Sequence, residues 1–150
     1  MDDLERDQRA RVVALAREWI GTPYRNQARV KGIGADCTFF AVVYEEAGLI
    51  PHVEIGPYSP QAHLHRTAGI YMKTVRDYAE ETDKPQPGDI VMYWFGRDFS
   101  HGGVVVDPGW PCIVHGDRDA GMILEAMGDQ ARLALSKEIR FFTLWPTGVL

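Results

Sequence analysis

The chain changes character at Lys84-Pro85-Gln86-Pro87-Gly88, and no other feature of the sequence restricts the fold as much. Before this point apolar residues recur at helical spacing. After it, short apolar runs alternate with turn signals, the pattern of strands. Helices first and strands second predict an α+β fold with an antiparallel sheet, not a doubly wound parallel one. Residues 3–20 read as an amphipathic helix in which Val12, Leu15, Ala16 and Trp19 make the apolar face, while Arg9, Arg11, Arg17 and Glu18 fall largely elsewhere. Gly21 and Pro23 stop it. The stretch from Thr22 to Asp36 reads as a loop. A second helix is expected between Asp36 and Gly48. Ser59-Pro60 can open a third helical region, with Tyr71, Val75 and Tyr78 as the apolar face near its end. Beyond the switch, strands are predicted at 90–95, 101–107, 112–115, 122–127 and 139–145, about five in all. The sequence holds no internal repeat and no low-complexity tract, so 85–88 reads as a turn between the halves of a single domain spanning 1–150.

The formal net charge of -5 argues against a general nucleic-acid-binding surface. No apolar run is long enough to span a bilayer. The start of the sequence, Met1-Asp2-Asp3-Leu4-Glu5-Arg6, is acidic and polar and does not read as a signal peptide. Synthesis in the cytoplasm is therefore expected, with any export by another route. The two cysteines, Cys37 and Cys112, lie far apart in sequence, and a cytosolic chain of this length does not need a disulfide between them. No Cys-x-x-Cys or His-Glu-x-x-His spacing occurs, so no metal site is expected. His63 and His65 are two residues apart in an expected helix, which points them to different faces, and they read as structural or surface residues.

The stretch Gly32-Ile33-Gly34-Ala35-Asp36-Cys37-Thr38-Phe39-Phe40 carries the first chemical signal. Asp36 is a good helix cap, and Phe39 to Val43, Tyr44 and Ala47 make the helix behind it apolar nearly all round, hence buried. This puts Cys37 in the first turn, where unpaired N–H groups and the helix dipole favour a thiolate, while the Asp36 carboxylate works against it. From these residues alone two readings stand: Cys37 is a nucleophile, or it is a small buried apolar residue. A thiol nucleophile needs a base within reach and a third group to orient that base. His101 opens a strand between small neighbours in Ser100-His101-Gly102-Gly103, and His115 ends the next strand. Taken singly, each histidine reads as well as a structural one.

Five short motifs in order then resemble one family: Gly21-Thr22-Pro23-Tyr24-Arg25, Asp36-Cys37, Pro87-Gly88-Asp89-Ile90, Ser100-His101-Gly102-Gly103 and Ile113-Val114-His115. Together they resemble the NlpC-type cell-wall peptidases, which are papain-like cysteine peptidases. The resemblance runs from the first helix to the second histidine. It implies a papain-like α+β fold with a buried helix carrying the cysteine. It implies Cys37 as nucleophile, His101 as general base and then acid, and His115 as the orienting third residue. Tyr24 matches the family tyrosine that hydrogen-bonds near the reacting carbonyl, and Asp36, Thr38 and Ser100 fall around the substrate and the oxyanion. The implied substrate is a peptidoglycan stem peptide, often cut between D-glutamate and the diamino acid, with no metal or organic cofactor. The stretch Tyr58-Ser59-Pro60-Gln61-Ala62-His63-Leu64-His65-Arg66 looks like the branch carried by phages and prophages, which implies phage tail proteins as partners and delivery to the wall in a virion or by another non-secretory route.

The sequence departs from the family at three places. Thr38 stands for the usual serine, the bulky Phe39 for a small glycine, and Asn26-Gln27 for a common glycine pair. These bear on substrate detail rather than on the chemistry. The competing readings are a papain-like amidase or acyltransferase on another amide, and a tail component that keeps the fold without activity. The implied triad also fixes a strand register. His101 and His115 share a face if the loop between their strands has five residues, 107–111, or a bulge has the same effect, so that Val106 lies opposite Cys112, Val104 opposite Val114 and Gly103 opposite His115. Val104, Val106, Cys112 and Val114 then turn to the opposite, apolar face.

Overall fold

The computed structural model describes residues 1–54, 69–96, 98–130 and 133–146, with the backbone alone at 69–71 and 98–100. The stretch 58–66, including Ser59, Pro60, His63 and His65, lies outside the described residues, as does the side chain of Tyr71. Helix α1 spans Asp3–Arg17 and starts where the Asp2 side chain accepts the Glu5 N–H at 2.7 Å. It ends three residues short of Ile20 because the chain there turns aside to pair with the sheet: Gly21 N–H donates to Ile123 O, and Ile123 N–H to Thr22 O. The segment read as a loop folds into a small hairpin, β1 (Arg29–Val30) and β2 (Gly34–Ala35). Cys37–Phe39 then forms a single 3-10 turn that feeds helix α2, Phe40–Glu46. Helix α3 covers Gly69–Tyr78. Its buried side is Met72 and Val75, continued by Ala79 just past its end, while Tyr78 is exposed.

The strands are β3 (Glu80–Thr82), β4 (Ile90–Phe95), β5 (Asp98–Val105), β6 (Cys112–Asp117), β7 (Met122–Met127) and β8 (Glu138–Thr143). They form one six-stranded antiparallel sheet in the order β3-β8-β4-β5-β6-β7. The fold is therefore α+β with an antiparallel sheet, carrying one strand more than expected. The extra strand, β3, is short, acidic and at the sheet edge, where charge discourages pairing with another chain.

Both faces of the sheet are covered, which explains why β4 reads as a continuous apolar run rather than an alternating one. Ile90, Met92, Val104, Val106, Val114 and Phe142 pack against Val12, Ala16, Trp19, Phe39, Phe40, Val43 and Val75 from the helices. Val91, Tyr93, Val105, Ile113 and Leu133 form a smaller cluster on the opposite side, closed by Phe95, Trp110, Ile139 and Phe141. Strands β5 and β6 pair Gly103 with His115, Val104 with Val114 and Val105 with Ile113. This is the register the five-residue loop predicts, and Val106 N–H donates to Cys112 O at 3.0 Å.

Arg9 departs from the expected polar face of α1. It lies on the buried stripe with Val12, Val13 and Ala16 and is 6 % exposed. Its charge is tolerated because every part of the guanidinium is bonded. It reaches Glu5 at 2.9 Å, Asp89 at 2.9 Å, Pro87 O at 3.0 Å and Thr143 Oγ1 at 3.2 Å, and it stacks 4.4 Å from the centre of the Trp145 ring. Tyr44 of α2 donates to Gly88 O at 2.6 Å. The Pro87-Gly88-Asp89 motif is thus the knot that ties α1, α2 and β8 to the start of β4.

Candidate active site

The cysteine turn is built by Asp36. Its Oδ1 accepts from Thr38 N–H at 2.9 Å and from Thr38 Oγ1 at 2.6 Å, and its Oδ2 accepts from Gln27 N–H at 2.7 Å. Gln27 adopts φ 63 to present that N–H, a left-handed backbone that favours glycine. Asp36 and Thr38 are 1 % and 0 % exposed, so both side chains hold the turn from within. Phe39 is accommodated by burial: it is fully inside the core, 5.6 Å from the ring of Trp19.

The β5–β6 ladder ends at the Gly103–His115 pair, and His101 and Gly116 lie just beyond that end. Across it His101 Nε2 meets His115 Nδ1 at 2.8 Å, with the two rings nearly perpendicular and 5.1 Å apart. His115 is buried at 2 % exposure, while His101 is half-buried. Tyr93 and Phe95 flank the His101 ring at 5.7 Å and 6.4 Å and restrict its rotation. The histidines therefore leave the same face, as the register requires. Val104, Val106 and Val114 fill the other face, with Cys112 partly buried beside them.

The turn carrying Cys37 contacts both β5 and β6. It is seated on Gly116, the residue after His115. A methyl group there would lie 3.2 Å from the Cys37 backbone nitrogen, from the Asp36 carbonyl carbon and from the Tyr24 ring. Gly102, the residue after His101, likewise approaches the Phe40 ring, where a methyl group would lie 3.2 Å away. The sequence offered Gly116 no separate signal; its need for a small residue comes from a backbone that is distant in sequence. Gly116→Ala is expected to push the cysteine turn off the sheet and to cost about 1–3 kcal/mol, the usual penalty of overpacking. Denaturant unfolding measures it, and an unchanged midpoint would mean the turn is not clamped there.

Tyr24 closes the other side. Its N–H donates to Gly121 O at 2.8 Å, and its hydroxyl lies within hydrogen-bonding reach of the Cys37 backbone N–H. Burial, then the nearby Cys37 and Asp36, push the phenol well above its ordinary range, so it stays a neutral donor. The structure thus brings Cys37, His101, His115, Tyr24, Asp36 and Thr38 into one region. Ser100 precedes His101 on β5, and its side chain falls outside the described residues. Cys112 lies apart on β6. Both cysteines are free thiols. Among the described residues no group of His, Cys, Asp or Glu is arranged to hold a metal ion, and no helix is long and apolar enough to cross a membrane.

The fold is that of NlpC/p60 domains, the papain-like α+β arrangement. The chain superposes on the NlpC/p60 domain of the peptidoglycan hydrolase SagA with a TM-score of 0.55 and 18% identity, covering 89% of this chain and 96% of that one. It also superposes on a protein described as similar to a lipoprotein of the NLP/P60 family from Staphylococcus aureus subsp. aureus Mu50, with a TM-score of 0.58 and 17% identity, covering 93% of this chain and 42% of that one. No protein-family model and no curated protein matches the sequence.

Proposed function

We propose that this protein is a cysteine endopeptidase of peptidoglycan stem peptides, acting on an amide of the D-glutamyl–diamino acid type through Cys37, His101 and His115. The observation that carries the reading is the 2.8 Å contact between the two histidines, set at the end of the β5–β6 ladder where the cysteine turn is seated. In the proposed reaction His101 keeps its proton on Nε2, whose N–H donates a hydrogen bond to His115 Nδ1, and this leaves the lone pair on His101 Nδ1 to take the thiol proton. The Cys37 sulfur attacks the amide carbonyl. The Tyr24 hydroxyl and the Cys37 backbone N–H stabilise the oxyanion that develops. His101 then gives its proton to the departing amine, leaving a thioester, and a water molecule deprotonated by His101 releases the acid. Asp36 and Thr38 act as positioning residues for the turn. The name of one structural neighbour, a peptidoglycan hydrolase, supports the substrate class. The sequence of 58–66 supports the second part of the proposal, that the domain works with phage tail proteins and reaches the wall in a virion or by another non-secretory route.

Mass spectrometry of muropeptides incubated with the protein and with Cys37→Ala tests the reading. Products cut within the stem peptide, absent from the control, are expected. Products cut at the sugar–peptide junction would make it an amidase, and no products would leave the fold without this activity. A second test separates the two thiols. A hydrogen bond from Cys112 to the Asp107 carboxylate holds that thiol above its ordinary range. Iodoacetamide at pH 7 is expected to modify Cys37 before Cys112. Equal rates in the folded protein would argue against Cys37 as an activated nucleophile.

A further inference from the structure

We infer that Arg118 selects the substrate: carried at the mouth of the site by the turn between β6 and β7, its guanidinium takes a carboxylate of the peptide beside the amide that Cys37 attacks. The inference rests on the peptidase reading and adds to it the group that would be recognised.

The placement is fixed by backbone on both flanks. Two residues before Arg118, Gly116 lies against Cys37 and the Tyr24 ring. Three residues after it, Gly121 O accepts the Tyr24 N–H at 2.8 Å, and Met122 bridges to Pro23. The turn between is closed on itself. Asp117 Oδ1 accepts the N–H groups of Asp119 and Ala120, each at 3.0 Å, and Gly121 N–H donates to Asp117 O at 2.8 Å. Arg118 itself is exposed. Its positive charge is felt at the Tyr24 phenol, where it opposes the effect of Asp36 and Cys37.

A guanidinium is a planar fork that matches a carboxylate with two parallel hydrogen bonds, and it gains much less from a neutral carboxamide. The chain as a whole is acidic, with a formal net charge of -5, so a cation at this mouth selects locally rather than attracting anions in general. A peptide joined through the side-chain carboxyl of an acidic residue keeps its α-carboxylate next to the scissile amide. That geometry is the one a cation carried by the turn beside Tyr24 would recognise.

The test uses two synthetic stem peptides that differ only at the γ-linked D-glutamyl residue, one with an α-carboxylate and one with an α-carboxamide. The parent protein is expected to favour the carboxylate peptide in kcat/KM by about fivefold, the upper range for an exposed ion pair. The preference should shrink as salt is added. Arg118→Gln should bring the carboxylate peptide down to the level of the carboxamide one, and Arg118→Lys should retain part of the preference. A parent that cuts both peptides equally, or an Arg118→Gln variant that keeps the preference, overturns the inference and leaves the peptidase reading standing. Cleavage of neither peptide overturns that reading, and the inference with it.

Discussion

Cys37→Ser is expected to lower turnover of a stem peptide by at least roughly a thousandfold while leaving the fold intact. The hydroxyl has nearly the shape of the thiol, so the turn held by Asp36, Thr38 and Gln27 should form as before. The reaction suffers because a serine hydroxyl is a far weaker acid than a thiol, so a base matched to a thiol, the proposed role of the His101–His115 pair, deprotonates it poorly. Cys37 is 9 % exposed, so the new hydroxyl loses some hydration, a cost of about 1 kcal/mol. For a chain of this length that lowers the melting temperature by about 2–4 °C. A folded variant that turns over near the parent rate would remove Cys37 from the reaction.

Arg9→Met is expected to have the largest effect on stability, about 3–5 kcal/mol at pH 7. Methionine keeps much of the stem packing but strips Asp89 of its cation in a site where the carboxylate is 1 % exposed. Burial already holds the Asp89 carboxyl above its ordinary range, against the opposing hydrogen bonds from Thr143 and Gln86 and the pull of Arg9. Without Arg9 it rises further. A carboxyl with a raised folded-state pKa binds its proton more tightly folded than unfolded, so stability falls as pH rises from the ordinary carboxylate range through the raised value. The variant should therefore be least stable at neutral pH and recover part of the loss near pH 5. Denaturant unfolding at the two pH values measures this. An equal loss at both would trace the effect to packing around Trp145 instead of to the stranded charge.

What the sequence made legible was local or periodic. Strands β4 and β7 run over the residues their apolar patterns mark, and the two-residue alternation of strands was enough to set Gly103 opposite His115. Asp36 announced the cysteine turn as a capping residue, although the turn begins as 3-10 and only then becomes helix. The rest depended on partners distant in the chain. Arg9 looked like a surface charge because its acceptors, Pro87, Asp89 and Thr143, are supplied by the other half of the molecule. Glu80–Thr82 has no apolar alternation, and it is a strand only because β8 offers an open edge. The β1–β2 hairpin is two residues per strand, too short for any period. Gln27 conceals a left-handed backbone behind a residue type that seldom takes one, held there by the Asp36 carboxylate.

The double covering of the central strands sets a gradient of protection within the molecule. Amide protons of Val91, Met92 and Val104, bonded in the ladder and sealed on both sides, should exchange with solvent deuterium only when the whole domain opens. The ladder between β5 and β6 stops at Gly103, so His101 stands at the boundary where slow exchange gives way to fast. A side chain placed there is fastened to the most persistent part of the molecule at one end and faces solvent at the other, which is the setting that the base of the proposed reaction would need.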